Sequence, residues 1–278
     1  MFLAVDIGNT QTTVGLFDQS GIVLRQWRMA TDRTDTGDEL HVHLYGYFRM
    51  FELNLSDVTD AAVASVVPIL SQEWQRGIRT TFNIDPLIID ASKNCGIEVA
   101  MPDPHQVGAD RIANAVSAHK SYGAPVIVVD FGTATNIDVI DAHGRFRGGA
   151  ITPGLLASAS ALFSHAAKLS SVPLIVPAHA LGNTTDTAIQ SGIVIGAAVQ
   201  AEGLVKRISA ELSAEWLAET KTVMAKPTVI GTGGLADVIA AATDIFDLID
   251  PDLTIRGIHQ IWNHFIIHRA NNKDASSN

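Results

Sequence analysis

The chain is poor in cysteine, in aromatic residues and in positive charge. Its 278 residues include a single cysteine, Cys95, which excludes an intrachain disulfide and a zinc site built on several thiolates. Cys95 stands beside Gly96 and reads as a small loop residue rather than a nucleophile. Such sparing use suits a reducing cytoplasm. Lys and Arg number 19 against 29 Asp and Glu, a net charge of −10. That balance argues against a nucleic-acid binder, which needs a positive field along the phosphate backbone. Charged residues make up only 17% of the chain and apolar ones 47%, the reverse of a disordered composition. No apolar run is long and unbroken enough for a bilayer. Pro153 interrupts the stretch from Gly148 to Phe163, and Gln200 and Glu202 interrupt that from Gly192 to Val205. The first six residues lack the basic start of a secretory leader, and Asp6 cuts their apolar run. The expectation is a packed α/β protein of two-domain length, with no membrane and no nucleic-acid partner.

Leu3 to Asp6, Thr12 to Phe17 and Ile22 to Met29 read as three consecutive antiparallel strands joined by turn clusters. A helix is expected over Thr36 to Glu52, a strand over Val63 to Val67 that Pro68 ends, a helix over Ser71 to Phe82 and a strand over Leu87 to Ile89. Another helix follows from Ile112 to Tyr122. Tyr122-Gly123-Ala124-Pro125 is a breaker cluster, which divides the chain into residues 1–122 and 123–278. The second part opens with strands over Val126 to Asp130, Asn136 to Ile140 and Arg145 to Ile151, and a later strand is expected over Pro227 to Ile230. Helices are expected over Gly154 to Ala166, Thr185 to Ser209 and Leu235 to Ala242, and a frayed tail from Ala270.

Each part begins the same way. Ala4-Val5-Asp6-Ile7-Gly8-Asn9-Thr10 and Val128-Val129-Asp130-Phe131-Gly132-Thr133-Ala134 share an apolar strand ending in Asp, then an apolar residue, a glycine and polar residues. One Asp-x-Gly turn is common; two, each opening half of the chain in the same strand context, point to a duplicated domain. Glycine lets a backbone approach an anion closely, and backbone N–H groups and Thr hydroxyls donate to phosphate oxygens. An acid beside phosphate makes sense with a cation such as Mg²⁺ between them. A third element, Gly231-Thr232-Gly233-Gly234, follows a buried strand and opens a helix, so it suits either an anion or close helix packing. It is neither a G-x-G-x-x-G fingerprint nor a G-x-x-x-x-G-K-[ST] loop. In Gly108-Ala109-Asp110-Arg111, Asp110 serves equally as a helix-capping acid or as a general base, and Arg111 as a surface cation or a carboxylate receptor. The ten histidines show no metal-ligand spacing.

Taken in order, Asp6-Ile7-Gly8-Asn9-Thr10, Gly108-Ala109-Asp110-Arg111, Asp130-Phe131-Gly132-Thr133-Ala134-Thr135, Gly149-Ala150-Ile151-Thr152-Pro153-Gly154 and Thr232-Gly233-Gly234-Leu235-Ala236 resemble the type III pantothenate kinase family. That family sits in the superfamily of acetate and sugar kinases, Hsp70 and actin. The resemblance implies an α/β fold of two tandem ribonuclease-H-like domains, with mixed β-sheets flanked by helices and a nucleotide cleft between them. It implies ATP-dependent phosphorylation of pantothenate to 4′-phosphopantothenate. By position it implies ATP contacts from Asp6, Ile7, Gly8, Asn9, Thr10, Gln11, Thr12, Thr13 and Thr133. Substrate contacts fall on Met101, Gly108, Ala109, Asp110, Arg111 and Thr185, with Asp110 as the catalytic proton acceptor. Asp130 takes the place of the K⁺ or NH₄⁺ ligand, and Asp6 that of the Mg²⁺ ligand, through water. A cytoplasmic homodimer is implied as well. Two positions depart from the family pattern: Met101 stands where a tyrosine is usual, and Thr184 where an asparagine is. Two other readings remain open at this point, a kinase of another small hydroxylated substrate and a nucleotide-binding regulator without catalysis. Turnover on a substrate panel separates the first, and ATP binding without turnover marks the second.

Overall fold

Strand β1 (Phe2–Ile7) is buried at every position except Asp6, because it lies at the centre of a sheet covered on both faces. The structure is a computed structural model that describes residues 1–165 and 172–275. Contacts divide it into two compact units, residues 1–117 with the C-terminal stretch from Leu253, and Ala118–Asp252.

In the first unit β1 pairs antiparallel with β2 (Gln11–Phe17), which pairs antiparallel with β3 (Val23–Ala30). On its other side β1 runs parallel to β4 (Asp60–Ser65), and β5 (Leu87–Ile88) closes the order β3-β2-β1-β4-β5. Helices α1 (Gly37–Met50) and α2 (Pro68–Phe82) cover one face. There Leu3, Val5 and Ile7 of β1 share a core with Leu40, Leu44, Phe48, Leu70, Trp74 and Ile78. The alternate β1 residues face α8 (Leu253–Ala275), where the rings of Phe2 and Trp262 lie 4.7 Å apart. Helix α1 starts where it does because Thr36 and Glu39 form a capping box. The Glu39 N–H donates to Thr36 Oγ1, and the Thr36 N–H donates to Glu39 Oε2. A two-residue strand, β6 (Glu98–Val99), precedes α3 (Ala109–Tyr122).

The second unit repeats the plan. Strands β7 (Val126–Phe131), β8 (Ala134–Ile140), β9 (Arg145–Pro153), β10 (Thr228–Thr232) and β11 (Leu248–Ile249) lie in the order β11-β10-β7-β8-β9. Strands β7, β8 and β9 are antiparallel in sequence, while β10 runs parallel to both β7 and β11, as β4 does to β1 and β5. Helices α4 (Leu155–His165), α5 (Thr185–Gln190), α6 (Gly196–Thr220) and α7 (Ala236–Ala240) complete the unit, with one π turn at Ser191–Ile195 between α5 and α6. Ile127, Val129 and Phe131 of β7 pack with Val194, Ala198, Ala201, Val205 and Ile239.

The α/β class with mixed sheets flanked by helices agrees with the expectation from sequence. Several local boundaries differ. Pro68 does not merely end a strand; it is the first residue of α2, where its missing N–H does no harm. The helix expected over Thr185 to Ser209 runs on to Thr220, and within it Glu202 accepts from Thr243 Oγ1 and pairs with Lys206 at 3.4 Å. Among the described residues this Thr185–Thr220 stretch is long and apolar enough, by length and composition, to cross a membrane. One third of its apolar window is buried within the unit, and a core helix gives the same signal. The last residue of the helix expected over Gly154 to Ala166 lies outside the described residues. Helix α8 was not foreseen, and it continues to Ala275, past the point where composition suggested fraying.

Replacing the α1 cap, Thr36→Ala, removes the exposed hydroxyl that accepts the Glu39 N–H and leaves the backbone N–H that donates to Glu39 Oε2. We expect it to lower unfolding free energy by about 1 kcal/mol in urea titrations; no measurable change would show that the Thr36 hydroxyl adds nothing to this helix.

Candidate active site

The turn after β1 is built from its glycine outward. The Gly8 N–H donates to Gln11 O at 3.1 Å, and a Cβ on Gly8 would lie 2.8 Å from that oxygen. Only glycine closes the turn this tightly. Asp6 sits opposite Thr13 and Ile7 opposite Thr12 across the hairpin. Asn9, Thr10 and Gln11 are exposed, and Asp6 and Thr13 are half-buried. Ile7 and Thr12 are turned inward. Ile7 belongs to the core, and Thr12 Oγ1 shares a 2.9 Å hydrogen bond with Thr31 Oγ1, so these two offer a ligand their backbone rather than their side chains.

The start of α3 lies in the same unit. Asp110 stands in the first turn, and its Oδ1 accepts the Arg111 N–H at 2.8 Å. A Cβ on Gly108 would collide with Asp110 Oδ1 and lie 3.3 Å from Val66 Cγ1. Val66 in turn donates its N–H to Ile7 O at 3.0 Å. The Asp6–Thr13 turn and the Gly108–Arg111 segment, separate in sequence, therefore meet through Val66. Burial pushes the half-buried Asp110 carboxyl above the usual aspartate value, against the opposing pull of the Arg111 N–H and guanidinium. Ala109 is buried and Arg111 half-buried. Met101 is half-buried in the bend that follows β6.

In the second unit three glycine motifs converge on one turn. Asp130, near the end of β7, pairs with Asn136 of β8 and lies beside Thr232 of β10. The Gly132 N–H closes the turn onto Ala134 O at 3.0 Å, leaving Gly132 and Thr133 exposed. The Gly154 N–H donates to Thr133 O at 3.2 Å, and a Cβ there would lie 2.5 Å from Gly132 O. Gly233, at φ +90°, lies so close that its Cβ would be 2.5 Å from Asp130 Oδ1 and 2.7 Å from Phe131 N. Of the glycines at 231–234, ambiguous in sequence, Gly233 thus packs against the Asp130 turn, while Gly231 lies against Ile249 and Phe246. Thr185 is the exposed first residue of α5. Thr184 caps that helix by accepting the Thr187 N–H on its hydroxyl, a role asparagine fills equally well.

Among the described residues no three His, Cys, Asp or Glu side chains gather into a metal cage. Asp6 and Asp130 are instead single carboxylates at the mouths of glycine turns. Such a donor fits an ion that takes its other ligands from phosphate, water and carbonyl oxygens. Cys95 is buried, donates to Asp90 O at 3.3 Å, and has its thiol pushed up to about 11 by burial and by Asp90, which fits its reading as a loop residue. Sequence reasoning missed Arg33, whose guanidinium donates to Asn9 Oδ1 at 3.1 Å, and Thr31, whose N–H donates to Thr10 O at 2.9 Å. Both lie in the Thr- and Asp-rich link between β3 and α1, where no motif marks them.

Comparison with known proteins follows this geometry. Residues 2–207 match the family described as type III pantothenate kinase. A protein of that name from Agathobacter rectalis is 39% identical over 262 residues, which cover 94% of this chain and 96% of the relative. Those of Listeria monocytogenes and Bacillus cytotoxicus are each 38% identical over the same 94% of this chain, covering 96% and 95% of their own lengths. Among solved structures, a Campylobacter jejuni protein assigned to the Baf family of transcriptional activators superposes with a TM-score of 0.58 at 16% identity, over 94% of this chain and 98% of that one. A Sinorhizobium meliloti protein assigned as a 2-dehydro-3-deoxygalactonokinase gives 0.52 at 14%, over 95% and 96%. These two likenesses speak to the fold alone. With a family match across most of its length, and relatives of nearly equal length aligned almost end to end, the chain belongs to the type III pantothenate kinase family.

Proposed function

We propose that this chain transfers the γ-phosphoryl group of ATP to the free primary hydroxyl of pantothenate, giving 4′-phosphopantothenate and ADP, with Asp110 as proton acceptor. Family membership makes it a kinase of the pathway to coenzyme A. The observation that carries the assignment of Asp110 is its half-buried place at the start of α3, where Gly108 packs beside Val66, which donates its N–H to Ile7 O at the turn after β1.

Asp6, Gly8, Asn9, Thr10, Gln11 and Thr13, with the backbone of Ile7 and Thr12, hold the ATP phosphates; Thr133 adds a hydroxyl to the nucleotide. Asp6 would hold Mg²⁺ through water and Asp130 would hold K⁺ or NH₄⁺, and such ions neutralise phosphate charge. Arg111 takes the pantothenate carboxylate on its planar fork. Met101, Gly108, Ala109 and Thr185 complete the substrate contacts, with Met101 giving a flexible apolar surface in place of a phenol. The substrate oxygen attacks phosphorus as the bond to the β–γ bridging oxygen breaks, and the hydroxyl proton passes to the Asp110 carboxylate. The Arg111 N–H on Oδ1 fixes the rotamer of that carboxylate. Raising its basicity by burial improves proton acceptance. Most of the rate comes from positioning and charge neutralisation. The active form is a cytoplasmic homodimer.

ATP consumption with pantothenate, in K⁺ against Na⁺ buffer, tests the reading. Turnover should require both pantothenate and K⁺ or NH₄⁺; full activity in Na⁺ alone removes the Asp130 assignment. Asp110→Asn should lower kcat by roughly 10²–10⁴-fold with little change in ATP affinity. Because burial raises the Asp110 carboxyl, its base form is lost at a higher pH than for an ordinary aspartate. The acid limb of the kcat profile should be displaced upward accordingly, and should vanish from the residual activity of Asp110→Asn. Arg111→Ala should raise the KM for pantothenate roughly 10- to 100-fold and leave nucleotide affinity intact; an unchanged KM sinks the carboxylate assignment. ATP binding without turnover on pantothenate would point to a different acceptor.

A further inference from the structure

Arg33 and Asn9 meet at the rim of the turn after β1. Arg33 Nη2 donates to Asn9 Oδ1 at 3.1 Å, and both residues are exposed. The link carrying Arg33 is fastened to the same turn on its N-terminal side. The Thr31 N–H donates to Thr10 O at 2.9 Å, and the Thr31 hydroxyl meets that of Thr12 at 2.9 Å. On its C-terminal side Asp32 Oδ1 accepts from the Thr34 N–H at 2.9 Å and from the Thr34 hydroxyl at 2.7 Å, which folds the link into a tight loop around Arg33.

A guanidinium has donors and no acceptor, whereas an amide has one end of each kind. Facing Arg33, Asn9 must present its oxygen, and its NH₂ group is then turned away from Arg33. Without that partner the amide can rotate and offer either end. An oxygen turned to a phosphate would repel it, and an NH₂ would donate to it. We propose that Arg33 is a positioning residue for nucleotide binding: it holds the Asn9 amide with its NH₂ toward the β- and γ-phosphates. This rests on the reading of the Asp6–Thr13 turn as the phosphate site.

The test measures affinity for ATP and for AMP by calorimetry, in the full chain and with pantothenate absent. Arg33→Ala should weaken ATP roughly tenfold, the loss of one oriented hydrogen bond to a charged group, and leave AMP unchanged. Arg33→Lys, which also only donates, should restore most of the loss. In a double-mutant cycle, Arg33→Ala should cost nothing further once Asn9→Ala is in place. Tm of each variant should match the parent, since both side chains are exposed. Equal ATP affinity for Arg33→Ala and the parent overturns the inference. So do additive losses in the double mutant, which would mean that Arg33 meets phosphate itself. If the parent binds no ATP, the phosphate reading falls and this inference with it; if the parent binds ATP and Arg33→Ala does too, equally well, only this inference falls.

Discussion

One N–H···O bond closes the turn after each central strand, from Gly8 to Gln11 in the first unit and from Gly132 to Ala134 in the second. The two glycine turns proposed for phosphate and cation both rest on these closures. Each requires a glycine at its pivot or packed beside it, and each leaves an aspartate at the end of a buried strand with exposed polar residues beyond it. Low dielectric below and water above is the setting in which one carboxylate can organise cations and phosphate without a cage of ligands. Glycines then allow close packing around the sites: Gly108 leaves room for the Asp110 carboxyl in one unit, and Gly154 and Gly233 pack directly against the Asp130 turn in the other.

The two units share more than their opening hairpins. Both place the first strand between its antiparallel partner and a parallel strand that arrives after helical excursions, in the same five-strand order. They diverge in how the turn is furnished. The first takes an arginine and a threonine from the link after β3, and the second takes glycines from the end of β9 and of β10. The two units thus share their central strand order and differ at the rims of their turns.

Much of this was legible in the residues. Runs of β-branched residues such as Val126–Val129, and alternation such as that from Ile22 to Met29, gave every long strand to within two or three residues, because buried strands tolerate little else. The aspartate-glycine turns stood out through their repetition. What stayed hidden had physical causes. Helix α8 buries Leu253, Ile255, Ile258 and Ile261, yet Thr254, Arg256, His259 and Gln260 between them blur the stripe. β11 has only two residues, too few to carry a pattern. That Ile7 and Thr12 turn inward depends on the register of β1 and β2 and on Thr31, which no local motif reports. Arg33 is an ordinary surface arginine until its partner is seen.

Helix α8 has a consequence for the order in which the chain is made. β1 is made before the helix that covers its Phe2 and Ala4 face, with all of the second unit's strands between them. The backbone of α8 also approaches α3 so closely at Gly257 that a Cβ there would collide with Ala113 O. The first unit therefore stays open on one side until α8 is made. The second unit, contiguous from Ala118 to Asp252, has all its strands before α8 emerges. Synthesis from the N-terminus here does not mean that the N-terminal unit is finished first; the later-born unit is complete while the earlier one still waits for its lid.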